Sequence, residues 1–271
     1  MKDTTIALAV QNCIPGQVQS NLAACIEFSK KAADAGADIA LFPEMNLTGY
    51  CSGKELADIA APLSETICSR LSRTAETKNI TLAAGLAHLE KSGNERKIFA
   101  SQVAAFPDGR ICVYKKIHAS PPEKEHLSTG NQIPLFSTDT LTFGIQLCYD
   151  GHFPELSTRM ALDGADLIMM PHASPRGTAK EKFDSWMRHL RARAFDNSVF
   201  VAAVNQVGSN QRGLDFPGVA VVLGPDGNIL AKSMGKSETL LVAKLEKTQQ
   251  ENVRNHRMKY FLPHRRGNLY F

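Results

Sequence analysis

What the sequence lacks narrows it first. No run of its 271 residues is apolar over the roughly 18 positions that a membrane-spanning helix needs, so no membrane association is expected. Its 31 Lys and Arg and 27 Asp and Glu give a net charge of +4, but they are interleaved, with no long basic run of the kind that tracks a phosphate backbone. Nucleic acid is therefore not the expected partner. No GxGxxG or phosphate-binding loop occurs, which leaves a nucleotide site without support, and neither HxxxH nor CxxC spacing occurs, which leaves a metal site without support. The histidines His118, His152 and His172 lie in none of the local signatures of papain-like or caspase-like cysteine proteases.

The six cysteines are scattered singly, and the opening MKDTTIALAV has neither the apolar length nor the small-residue cleavage site of a secretory leader. Reduced thiols and a cytoplasmic protein are the expectation. In that setting the triplets Asn46-Leu47-Thr48 and Asn79-Ile80-Thr81 read as chance rather than glycosylation sites.

What is present is an alternation of strand and helix signals. Thr4 to Val10 reads as a buried strand, and Val18, Leu22 and Ile26 recur at helical spacing until Gly36. A strand over Asp38 to Phe42, a helix N-capped by Ser64 and a strand over Ile80 to Leu86 follow. Ile98 to Phe106 and Ile111 to Lys115 flank Pro107-Asp108-Gly109, a turn in which proline presets one φ and glycine accepts a positive one. The second half repeats the pattern: strand Leu141 to Leu147, helix from about Pro154, strand Leu167 to Met170, helix Glu181 to Asn197 and strand Ser198 to Ala203. A second hairpin turns at Pro225-Asp226-Gly227, and a last strand runs from Glu238 to Leu245. The expected architecture is α/β: one domain over residues 1–271, internally duplicated, with two mixed sheets packed face to face and helices outside, a four-layer α-β-β-α sandwich. Ala119 to Pro134, rich in Pro, Glu, Ser and Gly, reads as a long loop.

Three reactive side chains stand where such strands end. Cys148 closes an apolar strand and precedes Gly151 and Pro154, a sharp passage into a helix that exposes a side chain and directs free backbone N–H groups at whatever it attacks. A buried structural cysteine is the alternative at this level. Glu44 follows the strand DIALF through Pro43, at the end of the strand where open α/β sheets place ligands. Lys115 and Lys116 end the strand after the first PDG turn; alternation sends one inward without choosing which.

PEMNLTGY at Pro43 to Tyr50, YKKIH at Tyr114 to His118 and CYDGHFPE at Cys148 to Glu155, in this order, resemble the three signature segments of the nitrilase, or carbon-nitrogen hydrolase, superfamily. EKEHLSTGN from Glu123, RARAFDN from Arg191, Asn205-Gln206 and the C-terminal RRGNLY extend the likeness over nearly the whole chain. CYDGHFPE is nearer to amidase branches than to true nitrilases. The resemblance selects Lys116 over Lys115. It implies a triad of Glu44 as proton-transfer base, Lys116 as stabiliser of the tetrahedral intermediate and Cys148 as nucleophile. Glu123 is implied as a second active-site carboxylate, with the Tyr149 backbone N–H in the oxyanion site. His126, Leu127 and Thr129 stand where tyrosine, phenylalanine and proline are common, which leaves the shape of that loop open.

The expected reaction is hydrolysis of a small amide or N-carbamoyl amine through a cysteine thioester with release of ammonia, without cofactor or metal. A small nitrile as substrate, or a non-catalytic binding protein with the same fold, are the alternatives. A homodimer or larger homo-oligomer is implied, with the C-terminal RRGNLYF near the subunit interface. His152, His172 and Trp186 are candidate pocket residues, although Phe183, Met187 and Leu190 place Trp186 equally well on a packed helix face. Arg193 and Asp196, three apart on that helix, are expected to form a structural ion pair.

Overall fold

The structure is a computed structural model that describes residues 1–51 and 53–269. The strands are β1 (Thr4–Val10), β2 (Ile39–Leu41), β3 (Thr81–Ser92), β4 (Glu95–Ala105), β5 (Ile111–Lys115), β6 (Leu135–Ser137), β7 (Thr142–Ile145), β8 (Leu167–Pro171), β9 (Phe200–Val204), β10 (Gly208–Ser209), β11 (Asp215–Phe216), β12 (Gly218–Leu223), β13 (Ile229–Gly235) and β14 (Thr239–Leu245). The α-helices are α1 (Val18–Asp34), α2 (Leu56–Ile59), α3 (Glu65–Lys78), α4 (Pro154–Leu162), α5 (Ala179–Asn197) and α6 (Lys247–Arg254).

Two six-stranded sheets carry the fold, in the orders β14-β1-β2-β3-β4-β5 and β13-β12-β9-β8-β7-β6. In each, a parallel trio joined by helices (β1-β2-β3 and β7-β8-β9) is followed by antiparallel strands. The remaining strand of each half crosses to the other sheet: β6 pairs antiparallel with β7, and β14 pairs antiparallel with β1 over its whole length. The duplication expected from the sequence is therefore present, with edge strands exchanged between the halves.

Strand period assigns the layers. Along β1, Ala7 and Ala9 join Leu22, Cys25, Ile67 and Leu71 in the core beneath α1 and α3. Ile6, Leu8 and Val10 face the other way, into the core shared with the second sheet. Helices α4 and α5 cover that second sheet, completing the α-β-β-α order. Fully burying each such aliphatic side chain is worth roughly 1.5–3 kcal/mol. Ser64 caps α3 through a 3.3 Å bond from the Ile67 N–H, and Asn79 ends it in the left-handed region at φ 50°. Asn46 is fully buried, and its side chain and that of Thr48 bond the backbone of β3. Among the described residues, no helix is long and apolar enough to cross a membrane.

Several elements differ from the sequence reading. β3 and β4 run further, through Glu90 to Ser92 and Glu95 to Lys97, around a two-residue turn at Gly93-Asn94. The polar ends of this hairpin project into solvent and lack the apolar alternation that marks a strand. Helix α5 starts at Ala179, capped by Thr178, whose hydroxyl accepts from the Glu181 N–H while the Glu181 carboxylate accepts from the Thr178 N–H.

Candidate active site

Glu44 sits in a tight turn after β2 that is fastened to β3 by side chains of its own segment. The Asn46 carbonyl accepts from the Gly85 N–H at 2.7 Å, and the Thr48 hydroxyl accepts from the Ala87 N–H at 2.9 Å. Gly85 is required for close approach: a Cβ there would meet the Met45 nitrogen at 2.5 Å. Gln206, from the second half, donates to the Glu44 carbonyl at 2.9 Å.

Lys116 follows β5 and is anchored through its N–H to the Ala100 carbonyl at 2.8 Å. Alternation sends Lys115 outward, where its ammonium pairs with Glu90 at 2.7 Å over the Phe99 ring, and Lys116 inward. The Lys116 Nζ lies 2.8 Å from Glu44 Oε1 and 2.9 Å from Glu123 Oε2. Glu123 is set by a single helical turn, with its Oε2 accepting from the Ser120 N–H and its carbonyl accepting from the N–H groups of His126 and Leu127. The replacements at His126 and Leu127 are thus absorbed by backbone bonding, and Leu127 is buried. Tyr50 donates to Glu123 Oε1 at 3.3 Å.

Cys148 opens a short 3-10 turn (Cys148–His152) after β7, with φ 45°, a left-handed conformation that costs a non-glycine residue on the order of 1 kcal/mol or more. Two buried groups hold the turn. Asp150 accepts from the Leu147 N–H, the Tyr114 hydroxyl at 2.7 Å and the His118 N–H at 2.8 Å, which ties the Cys148 turn to the segment carrying Lys116. Arg193 donates to the carbonyls of Gly151 and His152 at 3.0 and 3.2 Å. This corrects the expected Arg193–Asp196 ion pair: Arg193 is buried against the turn, whereas Asp196 is exposed.

Glu44, Lys116 and Glu123 are each no more than 2% exposed, so their charges act on one another with little screening. Burial pushes the Glu44 carboxyl up, Lys116 pulls it back and Glu123 adds to the rise, leaving it raised to about 7. Burial also acts to raise Glu123, but Lys116 and Ser120 outweigh it and hold that carboxyl below its ordinary value. Burial works against the Lys116 ammonium, and the two carboxylates more than offset this, holding it well above the ordinary lysine value. The Cys148 thiol is pushed up by burial and then by the Glu44 charge, against the pull of Lys116. The resting sulfur is a thiol.

The Ala173 N–H donates to Glu44 Oε2 at 3.1 Å and is close enough to the Cys148 sulfur to act slightly against the rise of its pKa. Of the three candidate pocket residues, His172 and Trp186 are buried together with rings 4.0 Å apart. The His172 Nδ1–H donates to the Met170 carbonyl at 2.7 Å, and burial lowers its pKa well below the ordinary value, so the ring is neutral. His152 is exposed, with its ring against His189 at 4.5 Å, and does not join the carboxylate-ammonium cluster. Tyr149 follows Cys148 at the start of the turn, where helical N–H groups have no preceding carbonyl to bond.

Sequence reasoning missed Tyr50, Ala173 and Asp150 as parts of this site. Tyr50 and Asp150 lie inside the quoted segments, so the signal was present. Ala173 contributes only its backbone.

The carbon-nitrogen hydrolase family model matches residues 5–255. This chain belongs to the carbon-nitrogen hydrolase family. Among relatives of this hydrolase, the (R)-stereoselective amidase of Pseudomonas sp. is 28% identical over 219 residues, covering 80% of this chain and 76% of the relative. Omega-amidase NIT2-B of Xenopus laevis is 30% identical over 275 residues, covering 96% and 95%. The amidase of Nesterenkonia sp. AN1 superposes with a TM-score of 0.82 at 28% identity, covering 98% of each chain. A variant of that amidase has been solved with the acetamide moiety of fluoroacetamide covalently added at its active-site cysteine. The hydrolase thus falls in the amidase branch of the nitrilase superfamily.

Proposed function

We propose that Cys148, Glu44 and Lys116, with Glu123 in support, hydrolyse the carbon-nitrogen bond of a small amide or N-carbamoyl amine. The reaction is amide hydrolysis through a cysteine-bound acyl intermediate. The observation that carries the assignment of residues is the buried cluster of one ammonium and two carboxylates beside a thiol at a strained strand-to-turn junction.

An amide carbon is a weak electrophile and the leaving nitrogen must be protonated, so the chemistry needs a base on attack and an acid on departure. Glu44 serves both. With its pKa near 7 it is ionised often enough to take the Cys148 proton as sulfur attacks, and basic enough to pass that proton to the leaving nitrogen. It then accepts a proton from the water that cleaves the thioester. The Lys116 ammonium and the Tyr149 N–H hold the oxyanion of each tetrahedral intermediate. Glu123 keeps Lys116 charged and in place.

The reading extends to the whole protein. Residues 1–271 act as one domain, supported by the exchanged edge strands. Six unpaired cysteines support a cytoplasmic setting. A homodimer or larger homo-oligomer is supported by an apolar groove of about 470 Å³ beside α4, lined by Ile117, Ile133 and Leu162, with Leu269 exposed on the C-terminal segment. Tyr270 and Phe271, the end of the segment expected at the interface, lie outside the described residues.

Ammonia release from aliphatic amides, omega-amides, N-carbamoyl amines and nitriles, paired with iodoacetamide labelling of the thiols, tests this reading. Turnover of an amide or carbamoyl compound that stops when Cys148 alone is alkylated is expected. Turnover of nitriles only, or turnover that survives Cys148 alkylation, removes the proposal.

A further inference from the structure

We infer that Lys182 is a carboxylate-binding residue at the Cys148 site, so that the preferred substrate is a small amide bearing a carboxylate remote from the bond that is cleaved. This rests on the amidase reading and narrows it to a substrate class.

Lys182 stands one turn into α5, four residues before the Trp186 that packs on His172. Its Nζ donates to the Ser174 hydroxyl at 2.7 Å and to the Pro175 carbonyl at 3.1 Å. Ser174 directly follows Ala173, whose N–H bonds Glu44 and reaches toward the Cys148 sulfur. Asn205 grips Ser174 from both sides, its carbonyl accepting from the Ser174 N–H at 2.9 Å and its amide donating to the Ser174 carbonyl at 3.0 Å. The ammonium is thereby fixed beside the reacting centre, and its charge acts on the Cys148 sulfur.

Its charge balance is what sets Lys182 apart. Lys180, two residues away, pairs with Asp184 at 2.6 Å, and Lys116 has two carboxylates. Lys182 is half-buried, and among the described residues no carboxylate pairs with it; both of its partners are neutral oxygens. An ammonium has three donors, so one remains for a ligand. Burial disfavours this cation, a cost that a bound anion relieves. The net charge of the site points the same way. Glu44 and Glu123 share a single ammonium, so when both are ionised the cluster carries one net negative charge that repels an anionic substrate. Lys182 cancels it.

The test compares kcat/KM for succinamate and glutaramate with that for butyramide and valeramide, neutral amides of the same carbon counts, in the wild-type protein and in Lys182→Met, Lys182→Arg and Lys182→Glu. The wild type is expected to favour the carboxylates. Lys182→Met is expected to lower the carboxylate-to-neutral ratio roughly 10- to 100-fold, mainly through KM, as fits loss of a charge-assisted hydrogen bond. Lys182→Arg restores part of the ratio and Lys182→Glu lowers it further. A wild type that favours the neutral amides, or a Lys182→Met variant that slows both series in equal proportion, overturns the inference. Calorimetric titration of glutaramate into the Cys148→Ala protein separates the two readings. Binding that Lys182→Met weakens, together with a wild-type protein that turns over no amide, faults the amidase reading alone, whereas absence of binding overturns the carboxylate subsite.

Discussion

The two halves of the chain share a topology and divide the chemistry between them. The first half delivers charge: Glu44 after β2, Lys116 after β5 and Glu123 from the loop beyond it, all enclosed. From matching strand ends the second half delivers groups that are neutral at rest, its one cation proposed for the site, Lys182, coming from helix α5 instead. The neutral groups are the Cys148 thiol after β7, and after β8 the His172 ring and the Ala173 N–H. A buried ion cluster is sustained only by partners held at fixed distance, while an uncharged thiol can lie beside it without adding a further desolvated charge. Where the two sets meet, burial and the Glu44 charge keep the Cys148 sulfur protonated.

The sharpest break in this division is at the sulfur. Cys148→Ala should lower kcat/KM by roughly four orders of magnitude or more, measured by ammonia release, because the covalent route is lost whatever the charged half provides. Next comes the cation. Lys116→Ala should lower kcat roughly 100- to 1000-fold through loss of oxyanion stabilisation. It should also lower the thermal midpoint, since two buried carboxylates lose their partner, a cost of about 3–5 kcal/mol. Lys115→Ala is the control, for its ammonium is on the surface with Glu90, and activity should stay near wild type.

A pH profile sharpens the comparison further. The base role proposed for Glu44 needs its ionised form, so kcat/KM should fall as pH drops through about 7, and Glu44→Gln, itself severely slowed, should lack that limb. The stability contribution has the opposite sign. A carboxyl raised in the fold from 4.5 to about 7 adds stability that is fully present below 4.5 and lost as pH rises through 7. The stability of wild type relative to Glu44→Gln, from denaturant midpoints, should therefore decline across that window. An increase would contradict the assignment. The smallest effect is expected at Tyr50→Phe, which removes one 3.3 Å bond to Glu123, costs about 0.5–1.5 kcal/mol and lowers kcat/KM by less than about tenfold.

Much of this division was legible in the sequence, because strand ends carry their own punctuation. β1 and β5 have the bounds that their apolar runs predict, and the PDG turns place both later hairpins. Glu44, Lys116 and Cys148 stand in contiguous segments whose resemblance outweighs what each residue says alone. Groups that act through the backbone, or from far along the chain, left no such trace: Ala173 offers an N–H that any residue has, and Gln206 reaches the Glu44 turn from the other half. Helix α6 was missed because Lys247–Arg254 is almost wholly polar and has no apolar period to detect. The start of α5 was missed although the spacing of Thr178 and Glu181 announces a capping box.

The exchange of β6 and β14 bears on how the enzyme comes into being. The strand that flanks β1 is synthesised after every reactive side chain of the site, and Thr4 waits for Leu245. Until then a nascent chain already owns every reactive side chain but has an open edge along the sheet that positions Glu44. Catalytic competence should therefore arrive late and all at once, and a chain stopped after β13 should be inert and prone to stick to its own kind at that uncovered strand.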